Sequence, residues 1–144
     1  LDVAIVSAND FMVLDGEYRY SPSRLTAAHG HCLRKFVQAL SRDMDVIVDN
    51  TNIEAVDIAP YVALADAYKY EHVIITIDTP IEVALARQQH GVPEKKVERL
   101  YERIEHTHKH FPHRWHHVIL TPGADGEDVE TFRYKPEFEA DRRW

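Results

Sequence analysis

The chain has 144 residues, 44% of them hydrophobic and 28% charged, with a formal net charge of -7. A chain of this size buries roughly two-thirds of its unfolded surface, so one domain is expected, and the negative charge excludes broad electrostatic capture of duplex nucleic acid while leaving room for a local basic pocket. Cys32 is the sole cysteine, which excludes an intrachain disulfide and a stapled secreted scaffold, and no apolar run reaches the ~20 residues that cross a bilayer. No basic and apolar leader opens the chain, so a cytoplasmic location without membrane attachment is expected. A start at Leu1, inside an apolar segment and without methionine, is expected of a processed, cut or partial chain.

In chain order, short apolar strands alternate with longer amphipathic segments, the pattern of an α/β layer structure. Val3 to Ser7 reads as a strand, and Asp15-Gly16 as a turn. Pro22 opens a helix to about Ser41, with Ser21 as its cap and Leu25, Ala28, Cys32, Phe36 and Leu40 on one stripe of helical period. Val46 to Val48 lacks alternation, which predicts a strand with helices over both faces. A helix is expected from near Pro60, using Val62, Leu64, Ala65 and Tyr68, followed by a β-branched strand from His72 to Ile77. Thr79-Pro80 then opens a helix that ends at Gly91, and Pro93 starts a charged helix with Val97, Leu100, Tyr101 and Ile104 inward. His117 to Leu120 is the last expected strand. The acidic, turn-rich segment 123–144 is expected to lie on the surface as an extension to a domain of residues 1–122, with Phe132, Tyr134, Phe138 and Trp144 as its only anchors.

Three strands end in polar or acidic groups: Ser7 to Asp10, Asp49 with Asn50, and Asp78. In parallel α/β folds, ligands bind in the crevice beyond the carboxyl ends of the strands. An aspartate there, as Asp10 is, can accept a hydroxyl proton, and Asp49 suits contact with Mg²⁺ or its water ligands. The same residues also cap helices and close turns in many proteins. Tyr18 and Tyr20 can stack on a base, and Arg19 or Arg24 can engage a phosphate, or the loop can simply be packed down by its tyrosines. Six of the ten histidines lie in residues 106–117 (HTHKHFPHRWHH). His106, His108, His110 and His113 invite zinc, but the i,i+2 spacing, Pro112 and the lack of a nearby cysteine favour a solvated helix end. His29, His31 and His90 read as packing, cap or loop residues.

Residues 7–11 (SANDF), 15–25 (DGEYRYSPSRL), 28–32 (AHGHC), 48–52 (VDNTN), 60–70 (PYVALADAYKY) and 87–93 (RQQHGVP) occur in an order that resembles the P-loop kinase family of bacteriophage polynucleotide 5′-kinase and the NEDD4-binding protein 2 kinase-like domain. The resemblance runs from Val6 to about Glu105. It implies an α/β, three-layer fold with a mostly parallel sheet flanked by helices. It implies ATP with Mg²⁺, and a nucleic-acid 5′ end, a nucleotide or a small hydroxyl-bearing molecule as acceptor. By resemblance, Asp10 is the base, Asp49, Asn50, Thr51 and Asn52 form a nucleotide-side polar cluster, and Arg87 is a lid arginine over the transferring phosphate. It also borders Tyr18, Tyr20 and Arg24 on the acceptor side. Two departures stand out. None of the five glycines forms a G-x-x-x-x-G-K-[ST] segment, so the family's first strand and phosphate loop are expected upstream of Leu1. The residues given are expected to bind ATP weakly or not at all. The lid is also less basic than usual, since Gln88 and Gln89 follow Arg87. Alternative readings are a small-molecule or nucleotide kinase of the same fold, or a degenerate P-loop-fold binding module without catalysis.

Overall fold

The computed structural model describes residues 3–88, 90–122 and 129–134, with side chains as far as residue 121. It divides into two compact units: Leu1–Asn52 with Val56–Glu71, and Ile53–Ala55 with His72–Trp144. The sheet is correspondingly divided, with β1 (Val3–Val6) and β4 (Asp45–Val48) paired in one unit and β5 (Ile74–Ile77), β6 (His117–Pro122) and β7 (Val129–Tyr134) in the other.

In the first unit β1 and β4 run parallel in the register Val3↔Asp45 to Val6↔Val48. Helix α1 (Leu25–Leu40) packs on this pair, burying Ala28, Cys32, Phe36 and Leu40 of the predicted stripe together with Val6, Ala8, Met12 and Ala65. Leu25 stays exposed because it begins the helix, directly after a 3-10 turn at Pro22–Arg24. Ser21 makes no capping bond there; its hydroxyl meets that of Ser23 at 2.9 Å instead. Helices do not cover both faces of the pair within this unit. Ile5 and Ile47 remain 64% and 53% exposed on the face away from α1, so burial alternates where the apolar run of β4 predicted none.

Between β1 and α1, β2 (Val13–Leu14) and β3 (Glu17–Tyr18) form a two-residue hairpin. Asp15 and Gly16 both have positive φ, 52° and 81°, as a type I′ turn requires. Helix α2 (Ala55–Ala67) starts five residues before Pro60, which therefore sits inside it. The missing Pro60 N–H leaves the Val56 carbonyl without a helical partner, and Val56 is exposed, so water can satisfy it. Edge-on packing of Tyr61 against Phe36, with ring centroids 5.1 Å apart, ties α2 to α1.

In the second unit β5 and β6 are parallel, and β7 adds antiparallel to β6. The pairing of β7 is a finding that the acidic, turn-rich composition did not predict; Phe138 and Trp144 lie outside the described residues. Helices α3 (Ile81–Arg87) and α4 (Glu94–His108) pack together, and Phe111, Trp115 and Val118 are buried. The predicted inward face of α4, Val97, Leu100, Tyr101 and Ile104, is half-buried. Two parallel strand pairs with flanking helices give the α/β, mostly parallel architecture expected from the sequence. Among the described residues no helix is long and apolar enough to cross a membrane.

Two glycines give opposite predictions. Gly16→Ala meets no atom within 4 Å but forces a Cβ into positive φ, so a loss of roughly 1–2 kcal/mol is expected. Gly30→Ala, within α1, meets only the end of the Arg34 side chain at 3.5 Å, so a gain of about 0.5–1 kcal/mol is expected. Urea unfolding followed by circular dichroism measures both, and equal signs would contradict the conformational assignments.

Candidate functional site

The carboxyl ends of β1 and β4 bring the first set of sequence-predicted residues together. Ser7 is buried and accepts from the Asn9 N–H at 3.2 Å, which starts a 3-10 turn over Ala8–Met12. That turn carries Asp10 out of the core. Its Oδ2 lies 3.3 Å from Lys35 Nζ on α1, with the two side chains 49% and 41% exposed. Asp49 continues the ladder one residue beyond β4, its N–H donating to the Val6 carbonyl at 2.9 Å. The Asp49 carboxylate is exposed and has no hydrogen-bond or ion-pair partner among the described residues.

Asn50 behaves differently from its neighbours. Its Oδ1 accepts from the Ala8 N–H at 2.8 Å, and its Nδ2 donates to Cys32 Sγ at 3.5 Å. Tyr61 joins this network: burial foremost, then hydrogen bonding with Cys32, pushes its phenol well above the ordinary tyrosine range, with Asn50 acting weakly the other way. Asn50 therefore fixes the β1 and β4 ends to α1 through both halves of its amide. Thr51 is exposed, and Asn52 takes a left-handed φ of 43°, which asparagine tolerates better than most residues.

The hairpin flank holds Tyr18 and Tyr20. The Tyr18 hydroxyl lies 3.4 Å from Asn9 Oδ1, and Tyr20 is largely exposed. Arg24 turns toward the protein: Nη2 donates to the Phe11 carbonyl at 2.9 Å, and the guanidinium lies 4.7 Å from the Phe11 ring centroid. Its Nη1 is buried without a hydrogen-bond partner among the described residues.

The second unit carries Asp78 and Arg87. The Asp78 N–H donates to the Leu120 carbonyl at 2.8 Å, and its Oδ1 lies 3.4 Å from the Tyr101 hydroxyl. Desolvation first, and the Asp78 charge second, raise the Tyr101 phenol above its usual value. Arg87 is exposed at the end of α3. The turn after it is closed by Gln88, whose Nε2 donates to the Val92 carbonyl at 2.8 Å while its Oε1 accepts from the Val92 N–H at 2.7 Å. Gly91, with φ 62°, permits that turn. Gln89 is outside the described residues. Sequence reading missed Lys35, Cys32 and Gln88 as site-shaping residues. Helical period carried a signal for Cys32, but the partners of Lys35 and Gln88 come from a turn and a loop.

Polar groups gathered beyond the carboxyl ends of parallel strands, with an exposed carboxylate on each of two neighbours, are the layout of a nucleotide-handling α/β protein. Residues 7–113 match the family model described as "AAA domain". Over 107 residues the chain is 32% identical to human NEDD4-binding protein 2, a match that covers 70% of this chain and 6% of that protein. The chain belongs to this family of P-loop kinase-like proteins. It spans a small fraction of the length of that relative.

Removal of the Asn50 amide tests its anchoring role. Asn50→Ala leaves the Ala8 N–H without its acceptor and is expected to cost about 1–3 kcal/mol. Amide exchange at Ala8 is expected to accelerate while that in β6 does not. Unchanged Ala8 protection would remove Asn50 from this role.

Proposed function

We propose that the chain carries the acceptor side of an ATP-dependent phosphotransferase that acts on a hydroxyl, with a polynucleotide 5′ end or a nucleotide as the acceptor class. The observation that carries the reading is the half-exposed Asp10 carboxylate at the end of β1, beside Lys35 at 3.3 Å. In phosphoryl transfer the protein orients the attacking hydroxyl and stabilises charge on the transferring group. Asp10 accepts the hydroxyl proton as the oxygen attacks, and Lys35 balances the carboxylate before it does so. Tyr18 and Tyr20, on the hairpin beside this strand end, offer ring faces to a base. Arg24 supports the same side by holding the Phe11 carbonyl.

The exposed, unengaged Asp49 carboxylate fits Mg²⁺, which keeps several waters and takes one or two carboxylates together with substrate phosphates. Mg²⁺ supplies charge neutralisation on the phosphates when bound. Thr51 and Asn52 follow Asp49 and Asn50 on the same loop and serve the nucleotide side, with Asn50 acting through its hold on Ala8. Arg87 contributes positive charge to the transferring phosphoryl group.

The test is transfer of labelled phosphate from Mg²⁺-ATP by the full-length protein to a 5′-hydroxyl oligonucleotide, with nucleosides and nucleotides in parallel. Asp10→Asn is expected to lower kcat by about 10²–10⁴ with ATP affinity retained. Near-normal turnover in that variant would sink the base assignment. Arg87→Ala is expected to reduce kcat more than it raises KM, and unchanged kinetics would exclude the arginine.

A further inference from the structure

The histidine-rich segment supplies a feature that the phosphotransfer reading does not use. His108, at the end of α4, and His117, at the start of β6, both turn a ring nitrogen to the Thr76 hydroxyl of β5. His108 Nδ1 lies 2.6 Å from Thr76 Oγ1, and His117 Nε2 lies 2.7 Å from it. The two rings are nearly perpendicular with centroids 5.7 Å apart, and Phe111 packs on both, at 4.4 Å and 5.1 Å. With Phe111 and Trp115 buried, this contact sits on the small apolar core of its unit.

Proton counting sets the states this contact can take. A threonine hydroxyl has one hydrogen to give and lone pairs to accept. With both rings neutral it donates to one facing nitrogen and accepts an N–H from the other, so the rings hold complementary tautomers. One protonated ring is equally well served, because an imidazolium presents N–H on both sides. Two protonated rings are not. Both nitrogens then donate, the threonine hydrogen loses its acceptor here, and two cations stand 5.7 Å apart beside apolar Phe111. Other titratable groups lie on the same elements, and α4 also carries Glu94, Lys95, Lys96, Glu98, Arg99 and Glu102 toward its N-terminal side. On α4, Glu105 is paired with Lys109 at 2.8 Å, Arg103 with Glu54, and His106 lies against His110 with centroids 4.9 Å apart. Asp78, at the end of β5, meets the Tyr101 hydroxyl. His72 precedes β5, His113, Arg114 and His116 precede β6, and β7 carries Glu130 and Arg133.

We propose that His108, Thr76 and His117 form a proton-sensitive clasp that fastens the C-terminal end of α4 to the β5–β6 pair. The clasp holds with zero or one proton on the two rings and loosens with two. It therefore weakens as pH falls below the ordinary imidazole range, about 6.5. The pair titrates as a unit, the second proton entering at a lower pH than the first. This rests on the geometry of the second unit alone and is independent of the phosphotransfer reading.

Histidine side-chain NMR of the 144-residue chain between pH 8 and pH 4.5 tests it, together with amide exchange in residues 101–108 corrected for intrinsic rates. One of the two rings is expected to titrate at least about one pH unit below the other, a tenfold difference in proton affinity. Exchange in the last turns of α4 is expected to rise about tenfold or more between pH 7.5 and pH 5. His108→Gln keeps a donor and an acceptor but cannot titrate, so it is expected to abolish that rise. Thr76→Ser is expected to retain it, as is His110→Gln on the same helix end. A common, uncoupled midpoint for the two rings overturns the proposal. So does exchange that is indifferent to pH, or a rise that survives in His108→Gln. If His108→Gln does not fold, the wild-type titration and the Thr76→Ser exchange decide the question by themselves.

Discussion

Both ends of the Asn50 carboxamide are turned into the protein, and the arrangement at the carboxyl ends of β1 and β4 depends on that. The Ala8 N–H lies two residues past β1, at a point where the chain leaves the sheet and its donor is met by a side chain in place of a ladder partner. Asn50 supplies the acceptor and uses its own N–H₂ on Cys32, a fully buried sulfur on α1. Three elements are therefore held at one point. Asp10 lies two residues beyond Ala8, and Asp49 directly precedes Asn50, so both carboxylates are positioned by the same amide. A buried donor left without a partner costs more than the bond itself contributes, which makes this a stringent constraint on a short loop.

The Asp10–Lys35 pair belongs to another category. Both side chains are close to half exposed, and exposed ion pairs contribute little to stability because water screens them and long side chains lose freedom. The Arg19–Glu17 pair, still more exposed, is weaker support again. Folding therefore has small need of Lys35 beside Asp10. The buried anchoring is concentrated at Asn50, and the exposed charge at Asp10, a short step apart along the chain.

Much of this was legible in the sequence, and the failures share a cause. The apolar period gave α1 and its buried stripe, the β-branched runs gave β1, β4 and β5, and the polar residues Ser7, Asp49 and Asp78 marked the strand ends. Pro60 was read as a helix start because local rules place proline in a first turn; the structure tolerates it inside α2, where the orphaned Val56 carbonyl is at the surface. Ser21 was read as a cap although its hydroxyl finds Ser23. The division into two units, the open face carrying Ile5 and Ile47, and the pairing of β7 are all long-range outcomes that no local window contains. The family resemblance gave Asn50 a nucleotide-side role, and its hold on Ala8 and Cys32, both distant in sequence, is what that reading could not contain. The histidine segment was judged by spacing along one helix face, and its contact point, Thr76, comes from a different element.

Gln88 shows how such a long-range view changes the meaning of a departure from a family pattern. In sequence, glutamines after Arg87 read as a loss of basic character where phosphate would be held. In the structure Gln88 closes the following turn by giving an N–H to the Val92 carbonyl and taking the Val92 N–H on its own oxygen. Arginine and lysine carry donors and no acceptor, so either could satisfy the carbonyl and would leave the amide hydrogen open. A carboxamide does both from two separate atoms, and glutamine has the reach for a partner four residues ahead. The turn is further set by Gly91 in the left-handed region and by Pro93, whose fixed φ leads into α4. Position 88 is thus constrained by backbone closure, and Arg87 is left as the cation at the end of α3. The lack of a basic side chain at position 88 follows from how the turn is built.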